Sequence, residues 1–185
     1  DLIFQDEQWH SFDAHSTVSS SNKGKILEDL NLKINTTKKQ FEEVSHIIIT
    51  LGTSWVYTYT ETNTVVANCH KIPQKKFSKK LLSIDEVSKS LEAIISLLSS
   101  INKNINIIFT ISPVRHKKEG MVQNTRSKAH LISAIHNILN RKNVSYFPSY
   151  EIMMDELRDY RFYAEDMIHP NKTAIQYIWE QFVAT

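Results

Sequence analysis

Two β-branched runs constrain this chain more than any other feature. One is His46-Ile47-Ile48-Ile49-Thr50-Leu51-Gly52; the other is Ile105-Asn106-Ile107-Ile108-Phe109-Thr110-Ile111, stopped by Pro113. Continuous apolar runs of this length read as strands buried on both faces, the habit of parallel sheets. A parallel pair needs a long crossover between its strands. The intervening sequence supplies one. Ser83-Ile84-Asp85-Glu86 is a capping box, with serine at the N-cap and glutamate three residues later. The helix it starts places Ile84, Val87, Leu91, Ile94, Leu98 and Ile101 at alternating steps of three and four, one apolar stripe.

The rest of the chain repeats this alternation. Gln123 to Arg141 reads as a second amphipathic helix with Leu131, Ile135, Ile138 and Leu139 inward. Val144 to Phe147 reads as a short strand, Glu151 to Leu157 as helical, and Asn171 to Val183 as a terminal helix with Ile175, Ile178 and Phe182 inward. Upstream, residues 1–21 read as polar and turn-rich, and Lys23 to about Val44 as a helix. Val56–Thr60 and Thr64–Ala67 flank Glu61-Thr62-Asn63 as a hairpin inserted after the first strand. The expectation is an α/β fold, three-layer α/β/α, with a mainly parallel sheet and strands near 46–52, 105–112 and 144–147. Trp55, Met153, Met154 and Trp179 are expected as core, and Cys69 as a small buried hydrophobe.

Composition narrows the function. The three glycines, Gly24, Gly52 and Gly120, are too scattered for a dinucleotide fingerprint or a P-loop, so no cofactor is expected. A net charge of +2 makes no case for nucleic-acid binding. The dense basic stretch Lys71–Lys80 reads as solvated surface. Cys69 is the one cysteine, which rules out an internal disulfide, and a cytoplasmic location is expected. The apolar runs are too short to span a bilayer, so no membrane is expected as a partner. The eight histidines show no zinc-like spacing, and no metal is expected.

In open parallel sheets, ligands bind beyond the carboxyl ends of the strands. The segments there are Gly52-Thr53-Ser54-Trp55 and Ser112-Pro113-Val114-Arg115-His116, with the later loop Tyr160–Asp166 leading to His169. Asp166 and His169 lie three apart, just before Pro170. A carboxylate so placed can orient an imidazole that serves as general base. The alternative is a helix start with a charged first turn.

Five separated blocks resemble the GSCFA domain family. They are Thr50-Leu51-Gly52-Thr53-Ser54-Trp55-Val56-Tyr57, Val66-Ala67-Asn68-Cys69-His70-Lys71, Ile111-Ser112-Pro113-Val114-Arg115-His116, Phe147-Pro148-Ser149-Tyr150-Glu151 and Asp159-Tyr160-Arg161-Phe162-Tyr163. The Asp-x-x-His before the last helix resembles the final block of the SGNH (GDSL-like) hydrolases. The resemblance runs from about Trp9 to Phe182. It implies an SGNH-hydrolase, flavodoxin-like fold and hydrolysis of an ester by a serine nucleophile. His169 would be the base and Asp166 its orienting acid. Gly52 and Ser54 would supply oxyanion-hole donors, while Arg115, His70, Asn68 and His15 would line the substrate; for these last four the alternative is local turn chemistry and solvation. The Gly-Ser-Cys-Phe-Ala stretch that names the family, with its serine, is not in these residues. Residues 1–185 are therefore expected to form a single SGNH-like domain lacking its N-terminal strand and nucleophile segment. The substrate class implied is a small-molecule or carbohydrate ester. A second reading is a non-catalytic binding module on the same scaffold.

Overall fold

The computed structural model describes residues 2–185. In chain order the elements are β1 (Leu2–Gln5), β2 (Gln8–Ser11), α1 (Lys23–Glu43), β3 (His46–Leu51), β4 (Trp55–Tyr59), β5 (Thr64–Val66), β6 (Phe77–Leu81), α2 (Ile84–Ile101), β7 (Asn106–Ile111), α3 (Met121–His136), β8 (Val144–Phe147), α4 (Ser149–Glu151) and α5 (Lys172–Val183). They form two compact units. One comprises the residues up to Glu43 together with Trp55–Leu82; the other comprises Val44–Ser54 and Ser83–Thr185.

The second unit holds the parallel sheet. Its order is β3-β7-β8, with Ile49 opposite Phe109 and Phe109 opposite Tyr146. All three strands expected from the sequence are present and parallel. On β7, Ile107, Phe109 and Ile111 are fully buried. Ile108, on the opposite face, packs against a cluster of Phe147, Ile152, Met153, Leu157, Tyr163 and Ala174, contributed by the end of β8, the segment between α4 and α5, and α5. α2 and α3 pack on each other, and α3 also contacts β7. Helices on both faces of the sheet give a three-layer α/β/α arrangement. The capping box at Ser83 forms as expected: its hydroxyl accepts the Glu86 N–H, and the Glu86 carboxylate accepts the Ser83 N–H. α4 runs into a π-turn over Ile152–Glu156, closed by the Leu157 N–H on the Ile152 carbonyl. Such wide turns displace side chains from α-helical positions and recur at functional sites.

Three expectations for this unit are corrected. β3 is not buried on both faces: it is an edge strand whose residues alternate, with His46, Ile48 and Thr50 exposed. Ile175 and Trp179 of α5, expected inward, are 57% and 56% exposed, leaving Ile178 and Phe182 half-buried. Together Ile48, Ile175, Trp179 and Phe182 help line a shallow apolar groove of about 270 Å³. One apolar stripe on each element is covered by neighbours; the stripe turned toward the free edge of the sheet is not.

The first unit is antiparallel. β1 and β2 form a hairpin, and a second sheet has the order β5-β4-β6. Phe12, Tyr59 and Val66 make its core, with Cys69, Ile72 and Phe77 packed beside them. Cys69 and Trp55 are half-buried here, rather than core. The β4–β5 hairpin is as expected, with Asn63 at φ 53° in its turn. Two readings are corrected. Residues 1–21 contain a hairpin whose two-residue turn, Asp6-Glu7, holds both residues at positive φ. That turn ordinarily takes Asn-Gly or Asp-Gly, so its usual signature is missing. The basic stretch is not all solvated surface: Phe77–Leu81 is a strand paired with β4, and the Lys79 ammonium lies 4.8 Å from the Trp55 ring centroid. A period-two pattern hides in it, because a lysine stem can cover an aromatic face while its charge reaches water.

Candidate active site

The carboxyl ends of β3 and β7 are held together by a buried lysine. Lys128 of α3 is 1% exposed. Its Nζ donates to the carbonyls of Gly52 (2.7 Å) and Ser112 (2.6 Å), the residues that follow the two strands. The same ammonium lies 5.8 Å from the Tyr150 ring centroid. Burial pushes the Lys128 ammonium down to about 8. Gly52 leaves room for His116: a Cβ there would come within 3.3 Å of the imidazole Nε2. Ser54 is buried and tied to α3. Its N–H donates to Ser127 Oγ (2.7 Å) and its hydroxyl to the Ser127 carbonyl (3.1 Å). Both Ser54 donors are thus directed at Ser127, so in this geometry Ser54 braces the strand end.

The Asp166–His169 pair is built by a tight local turn. Asp166 Oδ1 accepts the N–H groups of Ile168 (2.8 Å) and His169 (3.0 Å), with Met167 between them at φ 59°. Asp166 Oδ2 meets His169 Nδ1 at 2.6 Å. The turn is closed by the Ala164 N–H on the His169 carbonyl (2.8 Å). Asn171 then caps α5, its side chain accepting the Ala174 N–H. The His169 N–H, then its imidazole, then the Ile168 N–H hold the Asp166 carboxyl far below the usual carboxylate range. An ionised carboxylate can only accept, so Nδ1 carries a proton, and in the neutral ring the lone pair is then on Nε2. The His169 side chain is 59% exposed.

Arg115 joins the end of β7 to this turn. Its backbone N–H donates to the Ile168 carbonyl (3.3 Å), and Nη1 donates to the Met167 carbonyl (3.2 Å). Its guanidinium lies 4.0 Å from the Tyr163 ring centroid and 5.7 Å from that of Tyr160. Beside it is a cavity of about 180 Å³ lined by Arg115, Met153, Met154, Arg158, Asp159, Tyr160 and Tyr163. The π-turn after α4 delivers the two methionines to its wall.

The other three residues singled out from the sequence, His15, Asn68 and His70, belong to the first unit. His15 is exposed, with Nδ1 bound to the Thr17 hydroxyl and N–H. Asn68 Oδ1 accepts the His70 N–H (3.0 Å) in a turn that holds His70 at φ 46° and Lys71 at φ 61°. His70 is 5% exposed and donates from Nε2 to the Ser11 carbonyl at 2.6 Å. Its ring packs on His10 with centroids 4.7 Å apart. Burial chiefly, and secondarily His10 and His15, lower the His70 pKa against the opposing effect of the Ser11 carbonyl. Among the described residues, no three His, Cys, Asp or Glu side chains are grouped to hold a metal ion.

Ser127 and Lys128 escaped the sequence reading. A signal was present: Asn124, Ser127 and Lys128 fall on the stripe that continues through Leu131 and Ile135, so polar groups occupy inward helical positions.

A parallel α/β unit with polar groups gathered at its strand ends defines a broad class, the open-sheet α/β proteins. Within it the chain belongs to the GSCFA family, whose family model matches residues 1–182. Comparison with curated proteins finds no match to the chain. No helix among the described residues is long and apolar enough to cross a membrane.

Proposed function

We propose that this chain carries the acid–base half of an acyl-ester hydrolase. The supporting observation is the 2.6 Å contact between Asp166 Oδ2 and His169 Nδ1, on an imidazole that is 59% exposed, which leaves Nε2 of the neutral ring as the basic nitrogen. In this reading His169 takes the proton from an attacking serine hydroxyl. Asp166 holds the tautomer and stabilises the imidazolium, which then returns the proton to the leaving alcohol. Ser54 is not the nucleophile of this reading, since its hydroxyl already donates to the Ser127 carbonyl; the family resemblance assigns that role to the serine of a Gly-Ser-Cys-Phe-Ala stretch, which is not among these residues. In this reading the backbone N–H of Gly52, whose carbonyl Lys128 holds, supplies an oxyanion donor. The substrate is a small ester, an acylated carbohydrate being one such class, and the setting is the cytoplasm.

The test is steady-state hydrolysis of 4-nitrophenyl acetate by the protein translated from its complete reading frame. His169→Ala should abolish turnover. Asp166→Asn should lower it strongly, on the order of 10⁴-fold if the pair works as the same change does in a serine-protease triad, with circular dichroism unchanged. A folded His169→Ala protein with near-normal turnover would falsify the assignment. Absence of turnover in the folded wild type across an ester panel would instead favour a binding module.

A further inference from the structure

Arg115 lies between two cavities. The smaller, of about 180 Å³, is shared with Arg158 and Asp159. The other, of about 560 Å³, is shared with Lys117 and Met167, and Tyr160 lines both. Arg115 thus shares one cavity with Arg158 and the other with Lys117, and among the residues lining the two there is one carboxylate, Asp159. That carboxylate is already engaged: Asp159 binds the Arg161 guanidinium at 3.0 Å and accepts the Arg161 N–H at 2.8 Å. Arg115 has no carboxylate partner among the described residues. One of its N–H groups goes to the Met167 carbonyl and its face to Tyr163, which leaves donors of the planar fork available. Stacking on an aromatic ring fixes the plane of a guanidinium without neutralising it. A pre-oriented, uncompensated guanidinium is suited to bidentate binding of a carboxylate or phosphate.

From this arrangement we infer that Arg115, assisted by Arg158 and Lys117, binds an anionic group, carboxylate or phosphate, carried by the substrate. The inference rests on the proposed hydrolase in one respect: it makes the bound molecule a substrate. Arg115 bonds the carbonyls of Met167 and Ile168, the two residues before His169. An anion gripped there is tied to the turn that carries the base, and an ester bearing a negative charge near its acyl group would be oriented by it. Neutral esters of the same size would lack that anchor.

Binding can be read without any turnover. Inorganic phosphate and, separately, succinate are titrated into the protein at ionic strength fixed with sodium chloride, and the arginine Nε–H resonances are followed by NMR. Saturable shifts of the Arg115 resonance are expected; the tighter of the two ligands identifies the preferred anion. Arg115→Gln should weaken binding at least tenfold and Arg158→Gln several-fold. Arg141→Gln makes the same charge change just before β8, at the opposite end of the parallel strands, and should bind as wild type does. Arg158 is exposed, so its variant should fold even where Arg115→Gln does not. Equal weakening by Arg141→Gln would show diffuse charge attraction and overturn the inference. So would unchanged binding in both cavity variants, or no saturable shift with either anion. Anion binding intact in a protein that hydrolyses no ester would count against the hydrolase alone. Hydrolysis with no preference for a succinate half-ester over an acetate ester would count against the anionic substrate alone.

Discussion

Lys128 provides the sharpest physical test of how the strand ends are held. A cation that is 1% exposed and bonded only to neutral carbonyls is costly. Burial lowers its pKa from 10.5 to about 8. At 1.36 kcal/mol per tenfold change, this means that keeping the charge inside costs roughly 3 kcal/mol. Lys128→Met preserves most of the volume and removes the charge. It also removes a charged donor from two carbonyls, each worth about 1.5–3 kcal/mol. The terms oppose one another, so at neutral pH the net change should be a destabilisation of no more than about 3 kcal/mol. The pH dependence discriminates better. The native pKa lies below the unfolded one, so between them the unfolded chain binds more protons and stability rises with pH. From about pH 7.5 to about pH 9.5, this linkage should raise wild-type stability relative to Lys128→Met by about 2 kcal/mol. Urea denaturation followed by circular dichroism at the two pH values gives the difference directly. Working below pH 10 avoids Tyr146, Tyr150 and Tyr163, whose pKa values burial raises. Parallel pH profiles for the two proteins would refute the reasoning, since Lys128 would then titrate alike in both states.

His70 should act in the opposite pH range. Its folded pKa is lowered, so the unfolded chain binds more protons as pH falls through the ordinary histidine value of 6.5. Stability should fall on acidification below that point and do so less in His70→Gln, whose amide can still donate to the Ser11 carbonyl; denaturation at about pH 7.5 and about pH 5 checks it. Trp179→Ala should cost less than about 1 kcal/mol by urea denaturation, because the ring is 56% exposed, whereas a core tryptophan would cost about 3–5 kcal/mol.

The periodic apolar pattern determined the elements that carry the sheet. Ile47–Leu51 and Ile107–Ile111 are strands because β-branched runs fit a pleated surface, and α2 begins at Ser83 because its capping box is purely local. The Asp166–His169 bond was legible for the same reason, since a turn of four residues contains both partners. What sequence could not decide is which faces find a cover. Ile48, Ile175 and Trp179 have core-like side chains but lie on an open face, because burial depends on what packs opposite and not on the residue itself. The β1–β2 hairpin was illegible because Asp6-Glu7 lacks the glycine its turn favours, and β6 because its lysines masked the alternation. Lys128 is the extreme case. A lysine between Ser127 and Ala129 reads as surface, and only the meeting of α3 with two strand ends turns it into a buried clamp. Hydrogen bonds between residues near in sequence can be read from spacing; those of Lys128, reaching Gly52 and Ser112, exist only once the fold has brought distant carbonyls together.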